Sequence, residues 1–173
     1  MRLLYLLFIP FLLSGCASTS DLSAVSDFDL ERYLGTWYEA VRYDHGFERG
    51  MSAVSATYSM NKDGTIKVVN RGYKIDNNTW NEATGVAKPK HELSQGWLMV
   101  SFFKPFYGAY KIIYLDPEYT EAIITSSTRR YLWILTRRPV LTEAELEQLI
   151  VRAEGFGFDR NKMILVDQAL NSR

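Results

Sequence analysis

A single cysteine among 173 residues, Cys16, excludes an internal disulfide framework and any cysteine-based zinc site. Only two histidines, His45 and His91, leave little for metal binding or acid–base chemistry. Neither charge is in excess, with 20 Lys+Arg against 20 Asp+Glu, so there is no electrostatic reason to expect a nucleic-acid surface. Gly-x-Ser-x-Gly, His-Glu-x-x-His and the phosphate-cradling glycine loop are all missing, and His91-Glu92 lacks a zincin's second histidine. The reading is therefore a non-enzyme with no metal and no cofactor. The longest apolar run, Leu3 to Leu13 with Pro10 inside it, is too short to cross a bilayer as a helix, which takes about 20 residues. There is no internal repeat. What remains is one domain, 47% hydrophobic and long enough to bury a sizeable core.

From Phe28 to Arg138 the chain alternates apolar and polar residues, with turn residues about every ten positions. The segments are Trp37–Tyr43, Val54–Met60, Thr65–Tyr73, Thr79–Ala87, Trp97–Phe103, Ala109–Leu115, Glu121–Ser126 and Tyr131–Arg137. Asn61-Lys62-Asp63-Gly64, Asp76-Asn77-Asn78, Ser94-Gln95-Gly96 and Asp116-Pro117 separate several of them. Eight short strands at this spacing predict an antiparallel barrel or sandwich. One helix follows. Thr142 and Glu145 form a capping box, and Leu146, Leu149, Ile150 and Ala153 make one apolar stripe to lie against the barrel wall. Gly155 and Gly157 end it, and Met163 to Val166 forms a last short strand.

Two resemblances give this outline a family. Arg2 followed by the apolar run fits a secretory signal, and Leu13-Ser14-Gly15-Cys16 resembles the lipobox of bacterial lipoproteins. The resemblance implies cleavage before Cys16, acylation of its thiol and, because no aspartate follows, an outer-membrane address facing the periplasm. More than one acyl chain anchors stably where a single chain is marginal. Residues 1–15 are read as the signal, 16–27 as a flexible lipidated tether and 28–173 as the domain. The second resemblance lies in the domain. Asp29 to Glu39, with Gly35-x-Trp37, is similar to the first signature of the lipocalins. Tyr114 to Tyr119 resembles the second through Asp116 alone, and Arg137 matches the third. The family implies an eight-stranded antiparallel up-and-down β-barrel, a calyx, with one C-terminal α-helix packed outside. It also implies that Arg137 packs over Trp37 by a cation–π contact at the closed end.

By the family's register Trp37, Glu39, Val41 and Tyr43 point inward. The same register turns Val54, Ala56, Tyr58, Ile66, Val68, Asn70, Ala83, Gly85, Ala87, Leu98, Val100 and Phe102 inward. It adds Tyr110, Ile112, Tyr114, Ala122, Ile124, Tyr131, Trp133 and Leu135. Lys67, Arg71, Glu82, Lys111 and Glu121 then face water. The expected ligand wall is Ala56, Tyr58, Val68, Asn70, Val100, Phe102, Tyr110, Ile112, Ile124, Tyr131 and Trp133, with room left by Ala56 and Gly85. Asn70 and Tyr110 are the candidates for a polar head group. Such a wall suits a long, largely hydrocarbon ligand, a fatty acid or lysophospholipid. Glu39 is expected to be buried and satisfied by a tyrosine, and His45 to be solvated in the first loop, Asp44 to Ser52. A second reading stays open, a filled barrel that serves a protein partner or a homodimer through Tyr38, Trp80, Phe103, Phe106 and Tyr107. A transmembrane β-barrel fits badly, since its outward face would be apolar.

Overall fold

The computed structural model describes residues 18–172; the expected signal and Cys16 lie outside the described residues. Eight antiparallel strands form the barrel: β1 (Gly35–Tyr43), β2 (Met51–Met60), β3 (Ile66–Lys74), β4 (Thr79–Pro89), β5 (Trp97–Phe103), β6 (Phe106–Leu115), β7 (Glu121–Thr125) and β8 (Leu132–Thr136). Each pairs with its neighbour in sequence. β1 closes the cylinder, with Trp37 opposite Ala56 of β2 and Tyr38 opposite Thr136 of β8. A ninth strand, β9 (Met163–Leu165), adds to Val41–Tyr43 of β1, beyond the stretch that β2 covers.

In an up-and-down barrel the connections alternate between the two ends. The closed end holds α1 (Leu30–Tyr33), whose first amides are capped by the Asp29 carboxylate. Trp37 is fully buried there, and its indole N–H donates to the Tyr33 carbonyl at 2.8 Å. The Arg137 guanidinium stands 4.0 Å over the Trp37 ring. It also donates to the carbonyls of Arg32, Tyr33, Leu34, Thr36 and Tyr119. Gly35 reaches this junction at φ +94°, where a side chain would be strained and a Cβ would lie 3.2 Å from the guanidinium. Asp116 ties the neighbouring turn, accepting from the amides of Glu118, Thr120 and Glu121.

The helix outside the barrel is α2 (Glu143–Gly155), begun by the Thr142–Glu145 capping box. Leu149, Ile150 and Ala153 pack on an outer patch of the barrel made by Val41, Tyr43, Ile113, Ile123, Leu132 and Ile134. Fully burying one such aliphatic side chain is worth about 1.5–3 kcal/mol, so this seat holds the helix.

Two irregularities correct the expected parity. β1 carries a bulge at Ala40, between Glu39 opposite Leu135 and Val41 opposite Ile134. Val41 and Tyr43 therefore face the helix, and Arg42 takes the inward position. β6 carries a second bulge at Ile113, between Ile112 and Tyr114, which turns Tyr114 outward beneath Arg152. One extra residue on one strand flips every later side chain to the other face.

Residues 18–27 are not a loose tether. They run as a strap along the outside of the barrel. Ser18 bridges to Thr128, and the buried Thr19 hydroxyl donates to the Ser126 carbonyl. The Val25 amide donates to Ile112, and its carbonyl accepts from Gly96. Gly96 is needed for this approach, because a Cβ there would lie 2.6 Å from the Val25 side chain. Lys111, expected in water, lies under the strap, where its ammonium caps the Thr19 and Leu22 carbonyls at 2.9 and 3.0 Å. Burial lowers its pKa, with Lys90 adding to the effect.

Candidate ligand-binding site

The open end leads into a cavity of about 1100 Å³, so the side chains do not fill the barrel as the alternative reading requires. Nine of the expected wall residues line it: Ala56, Tyr58, Val68, Asn70, Val100, Phe102, Tyr110, Tyr131 and Trp133. Ile112 and Ile124 do not. Both are fully buried in the packed lower half of the barrel, with Trp37, Ile66, Leu98 and Ala122. Gly85 leaves no room either. Its missing Cβ is the space taken by the Phe102 ring, 2.8 Å from where that atom would sit, and by the Ser101 carbonyl at 2.7 Å.

The floor is a cluster of three phenols. The Tyr110 hydroxyl lies 2.7 Å from that of Tyr33 and accepts from that of Tyr58 at 2.9 Å. Burial raises the pKa of all three, which keeps them neutral. Tyr110 is thus engaged in the floor cluster rather than free at the mouth. Asn70 lines the cavity with its carbonyl oxygen buried and unpartnered, leaving an acceptor for a donor on a ligand.

Charge enters the wall at Glu39, inward as its register predicts, and at Arg42 and Glu48, which the alternation concealed. Glu39, 2% exposed, accepts from Arg42, 4% exposed, at 2.8 Å, and no tyrosine is its partner. Arg42 also donates to the carbonyls of Glu48 and Met51, so it fastens both ends of the loop between β1 and β2. Glu48 turns inward from that loop. Its carboxylate accepts from the Trp133 indole at 3.2 Å and lies 3.0 Å from the His45 imidazole. His45 is buried, not solvated, and stacks on Phe47 with ring centroids 4.0 Å apart. The signal for this latch is Glu39-x-x-Arg42 followed by His45-x-x-Glu48, a carboxyl, guanidinium or imidazole group at every third residue, with Asp44 the one other between them.

Burial, then the nearby Glu48 charge, push the Glu39 carboxyl well above the usual carboxylate range, against the opposing pull of Arg42. An acid whose folded pKa is raised contributes stability in full below its unfolded value, and that contribution is lost as pH rises through the folded value. Glu39→Gln mimics the neutral form. Its stability relative to the parent is expected to increase between about pH 4 and pH 8, as read by urea denaturation. A variant that loses ground over that range would mean that the ionised Glu39–Arg42 pair is the stable form.

Among the described residues no three His, Cys, Asp or Glu side chains converge as a metal site requires. A family model described as a lipocalin-like domain matches residues 28–168. The chain is a lipocalin. The lipocalin is 45% identical over 161 residues to the outer membrane lipoprotein Blc of Citrobacter freundii, covering 91% of each chain. It is 43% identical to the protein of that name from Vibrio cholerae, over 97% of this chain and 99% of the other. With apolipoprotein D of Mus musculus it shares 33% identity, over 83% of this chain and 78% of that one. Insecticyanin from the tobacco hornworm superposes with a TM-score of 0.71, covering 88% of this chain and 87% of that one, and at 19% identity the likeness is one of fold. The family places the lipocalin among binding proteins.

Proposed function

We propose that this lipocalin is an outer-membrane lipoprotein, anchored through acylated Cys16 on the periplasmic side, that binds a single-chain lipid in its barrel. A fatty acid or lysophospholipid is the ligand, and membrane maintenance the purpose. The observation that carries the reading is the cavity of about 1100 Å³, open at one end and walled by Ala56, Val68, Val100, Phe102 and Trp133. Each CH₂ of an acyl chain moved from water into such a wall contributes about 0.8 kcal/mol, so the chain supplies most of the affinity. The polar end belongs near Asn70 and the Glu39–Arg42–Glu48 latch. The relatives named outer membrane lipoprotein, matched over nine-tenths or more of this chain, support the address, as does the lipobox-like Leu13-Ser14-Gly15-Cys16.

Native mass spectrometry of the delipidated chain, incubated with fatty acids and lysophospholipids, tests the reading. One lipid per chain is expected, with affinity reduced about tenfold in Trp133→Ala, equivalent to about 1.4 kcal/mol. Absence of retained lipid under gentle conditions would overturn it. A homodimer binding through its exposed aromatic residues is the second reading, and the same spectra count the chains.

A further inference from the structure

The strap carries information about orientation. Its outer end, Ser18, is bridged to Thr128 in the connection between β7 and β8. Thr19 bonds Ser126 there, and Arg129 donates to the Ser18 carbonyl and grips the Asp21 carboxylate. Ser126, Ser127 and Tyr131 of the same connection line the cavity. The described chain therefore begins beside the mouth. Cys16 is two residues further, at most about 7 Å along an extended backbone.

The exposed phenylalanine and tryptophan side chains have the same polarity, although exposed aliphatic residues such as Leu93 and Leu165 lie elsewhere. Five phenylalanine and tryptophan side chains are exposed among the described residues, Phe47, Trp80, Phe102, Phe103 and Phe106, and all five line the cavity opening. Phe103 and Phe106, 83% and 77% exposed, flank the turn between β5 and β6. That hairpin is next to the β7–β8 connection through the β6–β7 pairing. At the closed end the aromatic residues Phe28, Tyr33, Trp37 and Tyr119 are buried instead. Exposed Lys104 and Arg130 stand beside these groups, each without an ion-pair partner among the described residues. Aromatic rings with flanking cations suit the boundary between head groups and acyl chains, where the ring is buried and the cation stays wet.

We infer that the mouth of the barrel faces and touches the bilayer surface, so that a lipid passes between membrane and cavity without crossing open water. The inference rests on the Cys16 anchor proposed above. The occupant is a lipid surface because the attachment point and the exposed rings share one side of the molecule. A second copy of the chain is the competing occupant and is resolved by the test.

The test uses the full-length acylated protein reconstituted in vesicles of phosphatidylethanolamine and phosphatidylglycerol. Acylation blocks Cys16, the natural chain's only thiol, so a single introduced cysteine takes an environment-sensitive dye cleanly. Dyes at Lys104→Cys and Ser127→Cys are expected to shift to the blue and to lose most of their emission to a quencher carried on the lipid acyl chains. A dye at Glu118→Cys, in the turn at the closed end, is expected to do neither. Equal exposure of all three dyes to water on a protein whose mass shows the acyl chains would overturn the orientation while leaving the anchor. A blue shift that follows protein density and ignores the quencher would mean that a second copy covers the rim, and would also overturn it. An unmodified Cys16 mass would remove the anchor and the inference with it, whatever the cavity binds.

Discussion

Arg42→Met is expected to destabilise the barrel by about 3–5 kcal/mol, because it removes three buried hydrogen bonds from a charged donor, each worth about 1.5–3 kcal/mol and not fully additive. The guanidinium is the cation that faces Glu39, and its other end accepts no substitute, since it holds the Glu48 and Met51 carbonyls. Methionine fills the volume but leaves two carboxyl groups and two carbonyls in an apolar wall. A second substitution identifies the mechanism. Arg42→Met with Glu39→Gln leaves no buried carboxylate at position 39 and is expected to recover part of the loss, as urea denaturation of both variants would show. The loop between β1 and β2 should also loosen in the single variant, which speeds ligand exchange, measurable by stopped-flow displacement. If Arg42→Met costs less than about 1 kcal/mol, the latch is solvated in solution and the pair is worth no more than one on the surface.

The second large effect belongs to the closed end. Arg137 donates to five backbone carbonyls, at 2.8 to 3.2 Å, from α1, the start of β1 and the turn before β7. It covers Trp37 as well. Hydrogen bonds to a charged donor are worth about 1.5–3 kcal/mol each and do not add, so Arg137→Met is expected to cost about 4 kcal/mol. That is a large share of the roughly 5–15 kcal/mol that stabilises a domain. Lysine is a poor replacement because it lacks the planar fork that serves several carbonyls at once. Lipid affinity of the molecules that remain folded is expected to be unchanged, because Arg137 does not line the cavity. Reduced affinity at unchanged stability would show that the closed end shapes the site.

The parts of this molecule that could be read from the chain are those in which a residue type has one physical use. Turn residues every ten positions set the strands, and the Thr142–Glu145 pair begins the helix where expected. The wall residues Ala56, Tyr58 and Val68 follow from alternation on the stretch where Ser55 to Met60 pair without interruption with Ile66 to Arg71. Elsewhere one pattern permits two structures. Val41-Arg42-Tyr43 alternates equally well with the arginine inside or outside, and no residue type marks the bulge that decides it. The small polar residues of the strap suggest mobility, while its two anchors, Leu22 and Val25, are too sparse to signal packing. Lys111 belongs in water by composition, and only the distant carbonyls of Thr19 and Leu22 make its burial tolerable. His45 reads as a loop residue because its partner Glu48 is in the same loop, and their shared burial depends on the Trp133 indole of another strand.

The bulge in β1 works as a phase shift in an otherwise regular wave. Absorbing Ala40 into the ladder as an ordinary paired residue would restore unbroken alternation and pass every ordinary test of a good strand, with Val41 and Tyr43 inside and Arg42 outside. It would send a guanidinium into the apolar seat of α2 and leave Glu39 and Glu48 facing each other unattended. A frame error of one residue would thus dismantle the gate of the cavity and the seat of the helix together, although the two lie on opposite faces of the same wall.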